Sequence, residues 1–413
     1  MHLPSTVQQR AATYDAALEP GTPALAGSRI ASIDFVRGVV MILMAIDHVR
    51  VFAGVPPGGP DPGVFFTRWV THFVAPAFVF LAGTAAYLHG RKLGDRNELA
   101  KFLVSRGAFL ILLELTVIRY FWTFNLDFAN YMLAGVIWML GWCMILLAAA
   151  VYLPVRVIAA IGVAIIALHN VTDFFRDRIG AAFGDAGPPW VLQFLYTGGA
   201  VRLGGESGPP LLVLYVLVPW IGVMMAGYAF GRVVELPSER RRGIMLRLGI
   251  AATLLFVALR AADVYGDPNP WRGVDWLPAA FAFLETTKYP ASLAFLLMTL
   301  GPMLILLALA EGWRGRAVEA ATVFGRVPMF YYLLHIPVIH VAAMIVSLVR
   351  EGRMNPWLFG NHPLAPPEQP DGYRWSLWLL YLVFILCVIA LYFPCRWYAG
   401  VRARRRSKWL SYL

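Results

Sequence analysis

The chain has 413 residues, of which 59% are hydrophobic and only 14% are charged, and its mean hydropathy is +0.64. Soluble proteins of this length carry about 25% charged residues. The composition therefore excludes an ordinary soluble protein and predicts an all-α, polytopic integral membrane protein that contacts the lipid bilayer. The net charge of +11 does not indicate nucleic acid as a partner, because excess Lys and Arg in membrane proteins collects in cytoplasmic loops and the sequence has no basic, aromatic groove.

The three cysteines, Cys143, Cys387 and Cys395, lie within or beside apolar segments. They form no CxxC pair, and their spacing is not typical of a disulfide framework or a zinc site. We therefore predict neither a disulfide nor a bound metal.

Apolar runs of membrane length recur along the chain after residue 29. Residues 1–29 lack an apolar core, which favours a disordered cytoplasmic tail over a cleaved signal peptide. Residues 30–397 are predicted to form one transmembrane domain, and residues 398–413 a basic cytoplasmic tail. About ten transmembrane helices are predicted, near residues 31–53, 66–88, 102–121, 131–153, 155–171, 210–232, 243–263, 289–310, 324–347 and 375–395.

The distribution of basic residues predicts how these spans are oriented. With the N-terminus in the cytoplasm, 17 Lys and Arg residues fall in cytoplasmic segments and 8 in exterior segments. Cytoplasmic loops carry the excess of Lys and Arg, and ten spans return the chain to the side on which it began. We therefore predict that both termini are cytoplasmic and that the protein is a multi-pass protein of the inner (plasma) membrane.

The first span begins and ends with ionisable residues, in the segment "RGVVMILMAIDH" from Arg37 to His48. An α-helix turns about 100° and rises about 1.5 Å per residue, so Arg37 and His48 share one face and lie about 16 Å apart along the axis. Asp34 lies within about 60° of both. Ionisable residues inside a membrane indicate function, because charge in hydrocarbon is costly. The alternative is that both ends only extend their side chains to the interface.

Other polar residues gather toward the predicted exterior half of the membrane, which indicates a polar site open to the exterior. Single ionisable residues at an interface are more often anchors than catalysts, so Arg50 or Lys288 alone favours a structural role. Arg260 and Asp263 are spaced for an ion pair, and His335 is placed where it can bond to a neighbouring helix. The full set is Asp47, His48, Arg50, His72, Glu114, Arg119, Asn125, Asp127, His169, Asn170, Arg260, Asp263, Glu285, Lys288, His335 and His340.

The segment "GYAFG", from Gly227 to Gly231, matches the small-residue motif by which transmembrane helices approach closely. This motif is a hint that the protein forms a homodimer.

Four segments carry a family resemblance: "SRIASIDFVRGVVMILMAIDH", "HFVAPAFVFLAGTAAYL", "KYPASLAFLLMTLGP" and "FGRVPMFYYLLHIPVIH". In this order they resemble spans of the heparan-α-glucosaminide N-acetyltransferase catalytic-domain family and its bacterial relatives. The resemblance extends over about residues 28–410. The separation of Arg37 and His48 by ten residues is also similar to that in membrane acyltransferases that O-acetylate bacterial polysaccharides.

The resemblance implies an enzyme that takes acetyl-CoA from the cytoplasm and acetylates an acceptor beyond the membrane. It implies that Arg37 lines the acyl-CoA path and that His48 is a catalytic or acyl-handling residue. In the animal heparan enzyme an asparagine occupies the position of His48, and the histidine proposed to accept acetyl lies in the following loop. Here that loop, "VPPGGPDPGVFF", contains no histidine. The covalent acetyl-histidine route therefore does not carry over, and an amino-sugar acceptor is not implied.

Acyl transfer from a thioester needs a base that works near neutral pH, and histidine has a suitable pKa. We expect His48 to be the general base, with Asp47 orienting it and His72 and His335 completing the catalytic pocket. CoA carries phosphates, which guanidinium groups bind well. The predicted acyl-CoA site therefore comprises Arg37 with Asp34 beside it and, as a weaker candidate, Arg326.

The leading hypothesis is an acetyl-CoA-dependent acyltransferase that acts on an exported glycan or another component of the cell envelope. The alternative is a transporter or flippase that uses the polar exterior cavity as its substrate site. Transporters commonly show paired repeats with interrupted helices. No convincing repeat is visible, although Pro219, Pro302 and Pro328 fall within predicted spans.

Overall fold

The computed structural model describes residues 30–184, 187–205, 207–362 and 367–404. The protein is mostly helical, at 72%. The predicted tail at residues 1–29 and the end of the predicted C-terminal tail, residues 405–413, lie outside the described residues. The last helix, Leu377–Arg404, continues beyond residue 397, where the predicted domain boundary lies.

The helices are labelled in chain order. They are α1 Ala31–Phe52, α2 Pro62–Trp69, α3 Val74–Leu93, α4 Arg96–Leu113, α5 Arg119–Thr123, α6 Val136–Ala150, α7 Val155–Leu168, α8 Arg176–Phe183, α9 Trp190–Leu192, α10 Val218–Val234, α11 Ser238–Ala262, α12 Ala279–Leu284, α13 Leu293–Leu309, α14 Arg316–Arg326, α15 Pro328–Glu351 and α16 Leu377–Arg404. Shorter 3-10 turns span Val70–Phe73, His169–Phe175 and Pro356–Phe359, and π-helical turns span Glu114–Ile118 and Gln193–Thr197.

The apolar runs of the sequence coincide with these helices. Within the described residues, five helical segments are long and apolar enough to cross a membrane, and three further apolar helices are shorter. α1 is long enough as well, but it carries four charged residues. The prediction of a helical membrane protein is therefore confirmed. The five segments are Pro62–Leu93, Val155–Phe175, Ser238–Ala262, Pro328–Glu351 and Leu377–Arg404.

Several helices begin directly after a polar residue whose side chain accepts a hydrogen bond from a backbone N–H of the first helical turn. Asp61 accepts from Val64 N at 2.8 Å before α2, and Asp95 accepts from Asn97 N at 2.8 Å before α4. Such N-caps satisfy backbone donors that have no partner within the helix. α3 ends at Gly94, whose φ of +66° suits glycine.

A small three-stranded sheet accompanies the helices, which the all-α prediction did not anticipate. Its strands are β1 Met132–Ala134, β2 Gly199–Arg202 and β3 Pro210–Val213. β3 lies between the other two, parallel to β1 and antiparallel to β2. The predicted spans 131–153 and 210–232 were therefore wrong at their first residues, which are strands.

Glycines allow the main pairs of helices to pack closely. A Cβ atom at Gly38 would lie 1.8 Å from the carbonyl oxygen of Ala321, and one at Gly325 would lie 1.7 Å from that of Asp34. Small residues at such crossings are typical of membrane helices. The glycine pairs are Gly38 and Gly325 between α1 and α14, Gly83 and Gly227 between α3 and α10, Gly107 and Gly141 between α4 and α6, Gly162 and Gly222 between α7 and α10, and Gly249 and Gly301 between α11 and α13.

The "GYAFG" motif is used inside the chain. A Cβ atom at Gly227 would lie 2.0 Å from Phe80 O, and one at Gly231 would lie 2.3 Å from the Tyr87 ring. The motif therefore joins α10 to α3, and the interpretation of these glycines as a dimer contact was wrong. A homodimer through another surface stays a prediction.

α1 lies in the interior of the bundle and contacts α3, α13, α14, α15 and α16. Two residues that precede α16 bond to the last turn of α1: Tyr373 Oη donates to Phe52 O at 2.9 Å, and Asn361 Nδ2 donates to Val51 O at 3.0 Å. We call this the Phe52 end of the bundle and the opposite one the Ala31 end. Of the ionisable residues of α1, Asp34 and Arg50 are buried, and Arg37, Asp47 and His48 are partly buried.

Candidate active site

Two histidines from distant parts of the chain meet inside the helix bundle. His48 lies in the penultimate turn of α1, and His335 lies at the start of the third turn of α15. His48 Nδ1 and His335 Nε2 are 2.7 Å apart, and the rings stack with their centroids 4.7 Å apart. His335 is 0% exposed. The structure therefore brings two of the four predicted catalytic residues into direct contact.

The hydrogen bonds of this pair determine which ring nitrogens carry protons. His335 Nδ1 lies 2.6 Å from Tyr332 O, and because a carbonyl oxygen can only accept, His335 Nδ1 donates. In a neutral imidazole the other nitrogen is then an acceptor, so His48 Nδ1 donates to His335 Nε2. His48 Nε2 is left with a free lone pair. No hydrogen-bond partner for that atom is found within the described ranges.

Asp47, predicted to orient His48, is paired with Arg50. Arg50 Nη2 lies 2.9 Å from Asp47 Oδ1, and Arg50 Nε donates to the same oxygen at 3.0 Å. Arg50 Nη1 also donates to Val55 O at 2.8 Å, which joins the end of α1 to the following loop. Among the residues described, no hydrogen bond joins Asp47 to His48. His335 takes the orienting position, and a catalytic role for Asp47 stays a prediction.

His72 lies in the 3-10 turn between α2 and α3. It is 3% exposed, and neither ring nitrogen has a hydrogen-bond partner in the described part of the chain. Its ring packs edge-on against Phe295, with centroids 5.3 Å apart. His72 makes no described contact with His48 or His335, so the predicted meeting of His48 and His72 is not seen.

Two cations lie near Asp47 at the Phe52 end. Arg68 on α2 and Lys288 in the loop before α13 both interact electrostatically with Asp47 and with His72. Lys288 is 8% exposed, and its Nζ lies 5.3 Å from the centroid of the Tyr289 ring. Within the described ranges, neither cationic group forms an ion pair or a hydrogen bond.

The predicted acyl-CoA residues come together at the Ala31 end. Arg37 Nη1 lies 3.4 Å from Asp34 Oδ1 and donates to Gly325 O at 3.3 Å, next to Arg326 at the end of α14. A guanidinium at a helix C-terminus is favourable because the last carbonyl groups lack partners within the helix. The Arg37 side chain is 17% exposed, and Arg326 is exposed.

A cavity of about 380 Å³ opens at the same end, beside the first residues of α1. Arg241, Arg242 and Arg314 line it, and Arg241 forms an ion pair with Glu311. The remaining lining residues are Ile30, Ala31, Ser32, Ser238, Glu239 and Gly312. Glu311 belongs to the lining as well, and three arginines against two glutamates leave it net positive, which suits an anionic ligand.

Glu114 is a structural residue. Its Oε2 accepts from the backbone N–H of Ile137 at 2.9 Å and of Trp138 at 3.3 Å. A buried carboxylate at a helix N-terminus satisfies donors that have no partner within the helix. The side chain therefore caps α6 and links it to α4.

Two further buried arginines, Arg119 and Arg260, donate hydrogen bonds to backbone carbonyl oxygens. Arg119 donates to the carbonyl oxygens of Asn125, Asp127 and Tyr131, and so holds the loop after α5. Arg260 donates to Ala282 O and Glu285 O at 3.0 Å and 2.6 Å. Asp263, the predicted partner of Arg260, is 4.0 Å away and supplies only a weak ion pair. These partners favour the structural interpretation.

Trp122 packs against His48 but was not predicted from the sequence as part of the site. The Trp122 ring lies edge-on to His48, with centroids 4.9 Å apart, and it stacks on Phe52 at 5.6 Å. Trp122 follows α4 across a π-helical turn, and its side chain is 3% exposed. A tryptophan in an apolar segment is expected in any membrane helix, so only the tertiary contact distinguishes this one.

A comparison with known families assigns the chain. The sequence model described as heparan-alpha-glucosaminide N-acetyltransferase, catalytic, matches residues 29–265. The match covers more than half of the chain and includes Arg37, His48 and His72, whereas His335 lies beyond it. No curated protein matches the chain. The chain belongs to the heparan-α-glucosaminide N-acetyltransferase catalytic-domain family, a family of acetyltransferases.

Proposed function

We propose that the protein is a membrane-embedded acetyltransferase that moves an acetyl group from cytoplasmic acetyl-CoA to an acceptor at the outer face of the membrane. The acceptor is a hydroxyl or amine group of an exported glycan or another envelope component. One observation carries the proposal: the contact between His48 and His335, which leaves His48 Nε2 unprotonated and without a described partner. The family supplies the class of reaction.

His48 acts as the general base in this scheme. Its Nε2 accepts the proton of the acceptor group as the oxygen or nitrogen attacks the thioester carbonyl carbon. The charge that develops on the His48 ring is shared with His335 through the bond between them. The C–S bond then breaks, the proton passes from His48 to the departing thiolate, and His48 returns to its starting state.

In the proposed topology the chain crosses the inner (plasma) membrane ten times, and both termini lie in the cytoplasm. Each of the ten predicted spans overlaps a helical segment. The excess of 17 over 8 basic residues supports a cytoplasmic Ala31 end and an exterior Phe52 end. In this orientation the acetyl donor and the acceptor reach His48 from opposite sides.

The residues at the Ala31 end fit a CoA moiety. Three arginines line the cavity beside the start of α1, and the Arg37 guanidinium lies about one to two helical turns further along the same helix. Guanidinium groups bind phosphates through two parallel hydrogen bonds. Acetyl-CoA supplies the activated thioester when bound, and these residues hold its phosphates.

The test is release of free CoA from acetyl-CoA by the purified protein, with and without glycan acceptors. His48→Ala should lower turnover about 10² to 10⁴-fold while acetyl-CoA binding is retained, because that is the typical contribution of a general base. His89→Ala, a histidine on α3 that contacts Phe102, is the matched control and should keep normal turnover.

Two results would count against the proposal. Normal turnover in His48→Ala would remove His48 as the base. Movement of a substrate across the membrane without any release of CoA would favour the transporter or flippase hypothesis instead.

A further inference from the structure

Three polar side chains at the Phe52 end are not used by the catalytic pair. They are Arg68 on α2, His72 in the 3-10 turn after it, and Lys288 in the loop before α13. His72 and Lys288 are more than nine-tenths buried. We call these three residues the cationic cluster.

Within the described residues, the side chains of the cationic cluster form no ion pair and no hydrogen bond. Neither ring nitrogen of His72 has a hydrogen bond, and neither Arg68 nor Lys288 has an ion pair or side-chain hydrogen bond, among the residues that the structure describes. Buried polar groups are nearly always paired, yet both ring nitrogens of His72 are buried without a partner in the described residues. An unpaired buried imidazole beside two cations that form no ion pair in the described residues therefore indicates a missing ligand.

The nearby carboxylates do not neutralise the cluster. Asp47 receives two hydrogen bonds from Arg50 and also attracts Arg68, so one carboxylate faces two guanidinium groups. Glu285 interacts with Arg68, but burial raises the pKa of the Glu285 carboxyl and so disfavours its negative charge. The excess charge around Arg68 and Lys288 is positive.

An anchoring role does not explain Lys288. Lysines that anchor a helix extend their ammonium group to water or lipid headgroups. Lys288 is instead mostly buried, at 8% exposed, and its ammonium lies over the Tyr289 ring, 5.3 Å from the ring centroid.

We propose that the cationic cluster binds an anionic group of the acceptor, a carboxylate or a phosphate. This inference rests on the proposed function, because it assigns the acceptor's side of that reaction. Arg68 and Lys288 neutralise the anion, and the N–H of neutral His72 donates to one of its oxygens. Asp47 interacts electrostatically with the cluster and precedes His48 in the chain, so an anion bound there holds an acceptor hydroxyl or amine near the base. The acceptor class is an acidic saccharide.

The experiment measures binding of three matched hexoses to the purified full chain by calorimetry. D-glucuronate carries a carboxylate, D-glucose 6-phosphate carries a phosphate, and D-glucose carries neither. At low salt, at least one anionic hexose should bind ten times more tightly than glucose, and salt should weaken that binding. The preferred hexose distinguishes the carboxylate from the phosphate. Equal affinity for all three hexoses would overturn the proposal.

Variants locate the binding. Lys288→Met and Arg68→Gln should each lower the affinity for the anionic hexose at least tenfold, with acetyl-CoA affinity unchanged. The matched controls are Lys101→Met and Arg353→Gln, which replace exposed cations outside the cluster. Wild-type affinity in both cluster variants would overturn the proposal even if the anionic hexose is preferred.

Two further measurements, lipid competition and CoA release, distinguish an acceptor site from a lipid site and test the two proposals separately. In nanodiscs, competition by phosphatidylglycerol that disappears in Lys288→Met would assign the cluster to a lipid headgroup and overturn its role toward the acceptor. CoA release is measured in the same preparations. Anion binding through the cluster without CoA release from any acceptor would refute the proposed function alone, whereas CoA release that does not depend on Arg68 or Lys288 would refute the anion site alone.

Discussion

His48 Nδ1 lies 2.7 Å from His335 Nε2, although 287 residues separate the two histidines in the sequence. The contact holds only while α1 and α15 keep their present arrangement, and the bond from His335 Nδ1 to Tyr332 O fixes the direction of the proton between them. The active nitrogen of the pair is therefore set by a backbone carbonyl on the same helix as His335.

His335→Leu removes the acceptor for the His48 Nδ1 proton. We expect kcat to fall about 10²-fold, at the lower end of the range for general-base loss, because His48 remains but its tautomer is no longer fixed. The KM for acetyl-CoA should change little. In the wild type the rate should rise with pH as the base loses its proton and then level off, and the variant should lose this profile.

His340→Gln is the control for His335→Leu. His340 lies on the same helix, but its Nδ1 bonds to Phe121 O at 3.1 Å and its ring stacks on Phe124. Turnover should therefore be retained. An unchanged pH profile in His335→Leu would show that His335 is only a packing residue.

Arg37→Lys keeps the positive charge at the Ala31 end but loses the planar fork that binds phosphate. We expect the KM for acetyl-CoA to rise about tenfold with kcat nearly unchanged, since the residue binds the donor and not the reacting atoms. Steady-state kinetics checks this, with Arg326→Lys as an exposed neighbour for comparison. Unchanged kinetics in Arg37→Lys would assign Arg37 a structural role, which includes its bonds to Asp34 and Gly325.

The proposed topology is tested with reporter fusions. Fusions after residue 95 and after residue 240 should report a cytoplasmic location, and a fusion after residue 190 an exterior one, because basic residues concentrate around the first two positions. The opposite pattern would place His48 and the cationic cluster on the cytoplasmic side.

Gly325→Ala should destabilise the protein by about 1–3 kcal/mol, the usual cost of overpacking. The added Cβ would lie 1.7 Å from Asp34 O, so α1 and α14 must separate. Gly243→Ala on α11 is the matched control, because no atom lies within 4 Å of its added Cβ, and it should be neutral or slightly stabilising. Thermal unfolding in detergent measures both. Equal stability of the two variants would mean that the glycine contact does not limit the packing.

Much of the fold could be predicted from hydrophobic runs, because a helix of membrane length needs about 20 apolar residues. The small sheet could not. The strands Met132–Ala134 and Pro210–Val213 are apolar and run directly toward helices, and a short apolar run does not distinguish a strand from the start of a helix. Pro219 in the first turn of α10 was the available signal for where that helix begins.

The site was predictable in part. The shared face of Arg37 and His48 follows from helix geometry alone. The pairing of Asp47 with Arg50 follows from the same i, i+3 spacing that predicts an ion pair for Arg260 and Asp263. The contact of His48 with His335 could not be predicted, because it depends on how α1 and α15 pack and no sequence spacing carries that information.

His362 makes the stability of the Phe52 end depend on pH. It lies in the loop after the last 3-10 turn, 6% exposed and stacked on Tyr131 with centroids 3.9 Å apart. Burial, helped by the charge of Arg119, lowers the pKa of His362 to about 4. In the unfolded chain its pKa is about 6.5, so below that value the unfolded state binds more protons than the folded state. The stability contributed by neutral His362 is therefore present above about pH 6.5 and is lost as the pH falls toward 4.

His362→Phe keeps an aromatic ring on Tyr131 and removes the titration. We expect the Tm of the wild type to fall more steeply than that of the variant between about pH 6.5 and pH 4, since only the wild type gains a proton on unfolding in this window. Above about pH 7 the two curves should run parallel, because His362 is then neutral in both states. Thermal unfolding across this pH range gives the comparison. Parallel curves down to pH 4 would show that His362 titrates in the folded protein as it does in the unfolded chain.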